Sequence, residues 1–296
     1  MKNCMRHISV LTNEVMESLQ LKSNANVIDC TLGDGGHAEM MLEKISPEGK
    51  LLGIDADPES ILRAKQNLYK FGARAVFARD NFVNLLKIIE ENKFGKADGI
   101  LLDLGWSSPQ FEERGRGFSF QRNEPLDMRY DPNANNTTAG EMVNSLSAKE
   151  LEKIFREYGE EKLSGKITRL IVERRKEKAI KTTQDLVEII EEAYKHRRGR
   201  IHPATKVFQA LRIAVNNELQ VLKRVLPEAV EVLNSGGRLS VIAFHSLEDR
   251  IIKHYFKSQE GKTLKIIYKK PKVATREECE KNPRARSAKL RTIEKI

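Results

Sequence analysis

Short runs that are apolar throughout alternate along this chain with stretches of helical periodicity. That alternation constrains the fold more than any other feature. The run at 26–30 predicts a buried strand, followed by a glycine-rich turn and a helix over 37–45 with Ala38, Met41, Leu42 and Ile45 on one face. A second strand is expected over 50–55. Pro58 then opens a helix carrying Ile61, Leu62, Ala64, Leu68 and Tyr69, which Gly72 closes. Residues 75–78 and 99–103 read as a third and a fourth strand. Strands without polar alternation must be covered on both faces, so the pattern predicts an α/β fold with a doubly wound parallel sheet.

The rhythm stops at Trp106. From 107 to 136 the chain is rich in Gly, Arg, Asn, Asp and Pro, and helical segments without strands follow. Met142, Val143, Leu146, Leu151, Ile154 and Phe155 keep helical spacing, as do Ile167, Leu170 and Ile171, then Leu186, Ile189 and Ile190. A long helix starting near Pro203 returns to the α/β pattern. A glycine-led strand over 236–244, a helix over 247–257 and strands at 264–268 and 290–293 complete it. The expected division is therefore 1–112 with 217–296 as the α/β domain, interrupted by an inserted all-helical domain at 113–216.

Of the 296 residues 40% are hydrophobic, enough for a sizeable core, while 52 Lys and Arg against 42 Asp and Glu leave a net charge of +10. Such an excess favours polyanionic partners, above all nucleic acid. The 3 cysteines, Cys4, Cys30 and Cys279, form no C-x-x-C pair, which argues against a disulfide framework and a thiolate metal site. No apolar run approaches membrane-spanning length, and no apolar stretch follows the first charges. The expectation is a cytoplasmic protein without a metal.

Strand one leads into Asp29-Cys30-Thr31-Leu32-Gly33-Asp34-Gly35-Gly36-His37-Ala38. Glycines here allow a tight turn and close approach of a ligand to a helix N-terminus. Gly33-x-Gly35-x-x-Ala38 with Asp55 downstream also fits a dinucleotide fingerprint, so the glycines leave nicotinamide and S-adenosylmethionine both open. The charges divide them. A pyrophosphate would meet Asp29 and Asp34 as like charges, whereas S-adenosylmethionine brings a sulfonium and an ammonium. Asp55, ending strand two, suits the two ribose hydroxyls. Its other reading is a helix cap, a role that Asp57 beside Pro58 fits better. Phe82, in Asp80-Asn81-Phe82, is either a core residue or a ring against adenine.

Strand four ends in Asp103-Leu104-Gly105-Trp106-Ser107-Ser108-Pro109-Gln110, where doubly wound sheets bind their ligands. A polar turn with proline partly matches the Asp/Asn-Pro-Pro-aromatic turn of amino-group methyltransferases. Asp103, Ser108 and Pro109 are the candidates for positioning a target amine, by alignment and hydrogen-bond acceptance. After strand five, Ser246 with Asp249 has the spacing of a capping box. His245 is open between contact with a target base and a structural hydrogen bond.

The residues at 29–37 and 103–110, with His202-Pro203-Ala204-Thr205, 208–216, 244–250 and 282–291, together resemble the MraW-type methyltransferases along essentially the whole chain. That resemblance implies a class I, Rossmann-like methyltransferase sheet. It also implies transfer from S-adenosylmethionine to the N4 amine of a cytosine in 16S ribosomal RNA of the small subunit. Cofactor contacts are implied from Gly35, Gly36, His37, Asp55, Phe82, Asp103 and Gln110. Trp106 departs from the smaller aliphatic residue expected there.

Three basic segments fit an RNA substrate independently. Arg114, Arg116, Phe118, Phe120, Arg122, Arg129 and Tyr130 interleave cations with rings, and clusters at 196–200 and 284–291 add further charge. Thr205, Gln209, Arg212 and Asn216 make a polar stripe at helical spacing. Arg116, Arg122, Arg212, Asn216 and His245 are the candidate RNA contacts. A nicotinamide-dependent dehydrogenase and a non-catalytic RNA-binding ribosome assembly factor are the competing readings.

Overall fold

The structure, a computed structural model, describes residues 9–104, 115–132, 137–195 and 202–296. It forms two compact units, Met1–Gly105 with Leu219–Ile296 and Trp106–Glu218, against the expected 1–112 with 217–296 and 113–216.

The first unit holds an eight-stranded sheet in the order β3-β2-β1-β4-β5-β8-β6, with β7 (Lys272–Val273) also paired to β8. Strands β1 (Val27–Asp29), β2 (Leu51–Asp55), β3 (Ala75–Arg79), β4 (Ala97–Asp103) and β5 (Leu233–Ala243) run parallel. β8 (Lys289–Lys295) is antiparallel to β5 and to β6 (Leu264–Ile266). Sequence order reverses direction on either side of β1, which makes the sheet doubly wound with a switch between β1 and β4.

Successive residues of each strand point to opposite faces, and both faces are covered. Ile28, Leu52, Ile54, Ile100, Leu102, Leu239 and Val241 pack into one core with Leu85 and Ile88 of α4 (Leu85–Glu91), Leu222 to Val232 of α10 (Glu218–Val232), and Ile252 and Phe256 of α11 (Ser246–Gln259). Val27, Leu51, Leu101 and Ile242 face the other core, with α1 (Thr12–Leu19), α2 (Gly36–Lys44) and α3 (Pro58–Asn67). Uninterrupted apolar runs are the consequence of that double burial.

The structure corrects several boundaries. α1 was not anticipated from sequence; it buries Val15, Ser18 and Leu19. The helix from Pro58 stops at Asn67, and a 3-10 turn over Tyr69–Arg74 follows, with Gly72 at φ 55°. β5 begins at Leu233 and crosses a register shift between Ala97 and Gly99 of β4, at a point where Gly236 adopts φ 78°.

The second unit is helical: α5 (Ala139–Ser145), α6 (Ala148–Glu157), α7 (Ser164–Glu177), α8 (Thr183–Ala193) and α9 (Ala204–Asn216). Thr138 with Glu141, Ser147 with Glu150 and Thr182 with Asp185 form capping boxes that set the starts of α5, α6 and α8. Leu151, Phe155, Ile167, Ile171, Leu186, Ile190, Val207 and Leu211 share one core, as helical spacing predicts. The helix expected to run on from Pro203 is two helices, because Asn217 takes a left-handed φ of 51° between α9 and α10.

Candidate active site

β1 stops early, and that builds the site. Asp29, its last residue, lies opposite Gly53 of β2 and Leu101 of β4. Each neighbour runs two residues further, to Asp55 and Asp103, roughly 6–7 Å of strand. The loop at 30–35 fills the gap between them. Leu32 N–H donates to the Ile54 carbonyl at 2.9 Å and Gly33 N–H to Asp55 Oδ2 at 2.9 Å. On the other side the Asp103 N–H donates to Thr31 Oγ1 at 2.7 Å. Gly35 then caps α2 at φ 85°, a conformation that favours glycine, and a Cβ there would press on Leu68 Cδ1 at 3.0 Å.

Three carboxylates therefore gather at the carboxyl edge of the sheet. Asp29 is 1% exposed and accepts from Thr31 N–H at 3.1 Å. Burial pushes its carboxyl up to about 6; His37 and the Thr31 N–H oppose this, while Asp103 and Asp55 add to it. Asp55 accepts from Asp57 N–H through its other oxygen at 2.9 Å. The capping of α3 falls to Asp57, whose carboxylate accepts from Glu59 and Ser60 N–H.

His37, on the first turn of α2, stands beside this group. Its Nε2 lies 2.9 Å from the Val10 carbonyl, which can only accept, so the proton sits on Nε2. Burial holds the imidazole below its ordinary value despite Asp29 and the Val10 hydrogen bond. The neutral ring turns its Nδ1 lone pair toward Asp103 Oδ2, 3.8 Å away. Both are hydrogen-bond acceptors.

One expected charge is absent from the group. Asp34 is bound by Arg63 Nε at 2.7 Å, so the acidity of this edge comes from Asp29, Asp55 and Asp103 instead. Thr31 and Arg63 were not recognisable in sequence, because both act through partners distant along the chain. Phe82 begins a short 3-10 turn and packs, partly buried, against the sheet core. Gly36 follows Gly35 at the start of α2. Ser108, Pro109 and Gln110 lie outside the described residues, as do Trp106 and the basic segment at 196–200.

The residues match a family model for MraW methylases over 4–296. The chain belongs to the MraW methylase family. Ribosomal RNA small subunit methyltransferase H of Clostridium botulinum (strain Loch Maree / Type A3) is 47% identical, over 98% of this chain and 99% of the relative. The Desulfosudis oleivorans protein of the same name is 42% identical over the same shares. A solved rRNA methylase from Streptococcus thermophilus overlays with a TM-score of 0.45 at 10% identity, covering 96% of this chain and 93% of that one, and supports no inference. Membership in a methylase family decides against the dehydrogenase reading.

In this MraW family member most of the expected RNA contacts are engaged within their own unit. Arg116 donates to the Arg129 and Tyr130 carbonyls, and its guanidinium lies 5.7 Å from the Phe118 ring centroid. Arg212 pairs with Glu218 through Nε and Nη2 at 2.9 and 3.0 Å. Asn216 donates to the Met128 and Arg212 carbonyls and accepts from Tyr130 N–H, while Gln209 donates to the Tyr158 carbonyl. These bonds favour scaffolding for Arg212 and Asn216. Arg122 is exposed, with its carbonyl accepting from Thr183 Oγ1. His245, not Ser246, caps α11, in a capping box with Glu248. Asp249, read in sequence as the box partner, binds Arg291 at 2.6 Å and Lys289 at 3.4 Å, which offsets one of the positive charges of the 284–291 cluster. Among the described residues no helix is long and apolar enough to cross a membrane.

Proposed function

We propose that this methylase transfers the methyl group of S-adenosylmethionine to the N4 amine of a cytosine in 16S ribosomal RNA, in the cytoplasm. The observation that carries the reading is the carboxylate edge: Asp29, Asp55 and Asp103 around a glycine loop, with Asp29 buried and its carboxyl pushed up to about 6 by that burial. That donor set fits a ligand with an ammonium and a sulfonium. It repels a pyrophosphate.

In this reading Gly35, Gly36 and His37 present the first turn of α2 to the amino-acid end of the cofactor, with Asp103 and His37 Nδ1 receiving its ammonium. Asp55 takes the ribose hydroxyls, and Phe82 borders the adenine. Gln110 adds a cofactor contact. The cofactor supplies an electrophilic methyl group that needs no metal. Asp103, Ser108 and Pro109 hold the target amine in line, which is where positioned acceptors accelerate transfer to a poorly nucleophilic nitrogen. The helical unit, with Arg116 and Arg122 on its loop, and His245 at the end of β5, contribute to RNA recognition. Arg212 and Asn216 shape that loop from behind.

The relatives named for methylation of small-subunit ribosomal RNA support the substrate class. The test is transfer of labelled methyl to naked 16S RNA and to isolated subunits, followed by nucleoside analysis. Label in N4-methylcytidine is expected; label in another nucleoside would refute the N4 assignment. Asp55→Ala and Asp103→Ala are expected to abolish transfer. If both left ribosome assembly in cells unchanged while the protein still bound RNA, the assembly-factor reading would gain.

A further inference from the structure

The β1–β4 ladder ends in a way that gives one side chain a task. Cys30 N–H donates to the Leu101 carbonyl at 2.9 Å, and there β1 leaves the sheet. β4 continues to Asp103, whose N–H points back toward the side that β1 has vacated. On β4's other side Leu104 N–H still finds the Ile242 carbonyl of β5 at 3.0 Å. The place of the missing β1 carbonyl is taken by Thr31 Oγ1, at 2.7 Å from the Asp103 nitrogen. The same hydroxyl lies 3.5 Å from Asp29 Oδ1, and Thr31 N–H donates to that oxygen at 3.1 Å. One residue thus ties the buried carboxylate to the strand end that presents Asp103, beside His37 Nδ1.

We propose that Thr31 is a positioning residue: its hydroxyl extends the sheet by one hydrogen bond and so sets Asp103 where it receives the cationic amino-acid end of the methyl donor. The inference rests on the methyl-donor reading of the same edge and deepens it. A backbone N–H without this acceptor would turn to water or shift β4's last residue. A displacement of even one ångström at Asp103 changes what it can hold. The ribose and adenine contacts are assigned to Asp55 and Phe82, whereas the hydrogen bonds of Thr31 run to Asp29 and Asp103, so its effect falls mainly on the amino-acid end of the ligand.

Calorimetric titration with two ligands tests this. S-adenosylhomocysteine carries the amino-acid end, and 5′-methylthioadenosine lacks it. Thr31→Val, nearly isosteric but without the hydroxyl, is expected to weaken S-adenosylhomocysteine about tenfold, ~1.4 kcal/mol, and to leave methylthioadenosine unchanged. Thr31→Ser, which restores Oγ, is expected to bind both as wild type. Thr31→Ala is measured alongside, in case the valine methyl disturbs folding. Equal losses for the two ligands, or none for either in both hydroxyl-free variants, would overturn the inference while leaving the methyl-donor reading intact. Wild-type protein that bound neither ligand would overturn that reading and the inference with it.

Discussion

Asp29 is held almost wholly out of water beside two other carboxylates, and its titration follows from that position. Its ordinary value of 3.8 rises to about 6, with burial the main cause. The folded protein therefore keeps a proton over a pH range in which the unfolded chain has lost it. Linkage gives the sign: this group's stabilising contribution is fully present below pH 3.8 and is lost as pH rises through about 6. Asp29→Asn removes the dependence. Relative to wild type, the variant is expected to gain stability between pH 4 and pH 7, by at most about 3 kcal/mol, as read from denaturant midpoints. A constant difference across that range would contradict the assignment. A cationic ligand has the opposite preference, since it favours the ionised carboxylate. Affinity for S-adenosylhomocysteine is accordingly expected to weaken as pH falls below about 6 in wild type and to weaken less in Asp29→Asn, as measured by titration calorimetry at several pH values.

At the scale of elements, the break between α9 and α10 depends on one backbone conformation. Asn217 stands at φ 51° and ends α9. Asparagine tolerates this region better than most residues, and glycine adopts it freely. Asn217→Ala is expected to cost about 1 kcal/mol, and Asn217→Gly close to none, by urea denaturation. The elements also show what was readable from the chain. The five parallel strands and their helices could be read because double burial leaves uninterrupted apolar runs such as those at Val27, Ile100 and Val241. The helical unit could be read because Val143, Leu151, Phe155, Ile167 and Leu186 recur at helical spacing. α1 could not, since in eight residues the spacing of Val15 and Leu19 is a single helical repeat, too short to stand out from chance. The break at Asn217 was also hidden, because left-handed residues interrupt a helix without altering its apolar pattern.

For the whole molecule, three cores, two on the faces of the sheet and one in the helical unit, imply separate responses to core damage. Phe155 is fully buried in the core of the helical unit. Phe155→Ala is expected to cost about 3–5 kcal/mol and to lower the melting of the helical unit, while S-adenosylhomocysteine still protects the sheet unit against heat. Calorimetry with and without ligand separates the two; loss of ligand protection in the variant would show that the units do not melt apart. The net charge of +10 carries the last expectation. Binding of a 16S RNA fragment should fall with a linear slope of log affinity on log salt, because phosphate contacts release counterions. A flat response in fluorescence anisotropy would count against a polyanionic substrate.

Local pattern was enough to establish the doubly wound sheet, and it exposed the run of helices without strands, the glycine loop and the acidic strand ends. Burial, periodicity and glycine spacing are properties of neighbouring residues, and they survive in a string of letters. Pairings between residues far apart along the chain were settled by folding alone. Arg63 neutralises Asp34, Thr31 carries the Asp103 amide, and His245 rather than Ser246 caps its helix. Arg212 and Asn216 bond within the helical unit. Such partners are chosen by the register at which strands and helices meet, and that register exists only once the chain has packed.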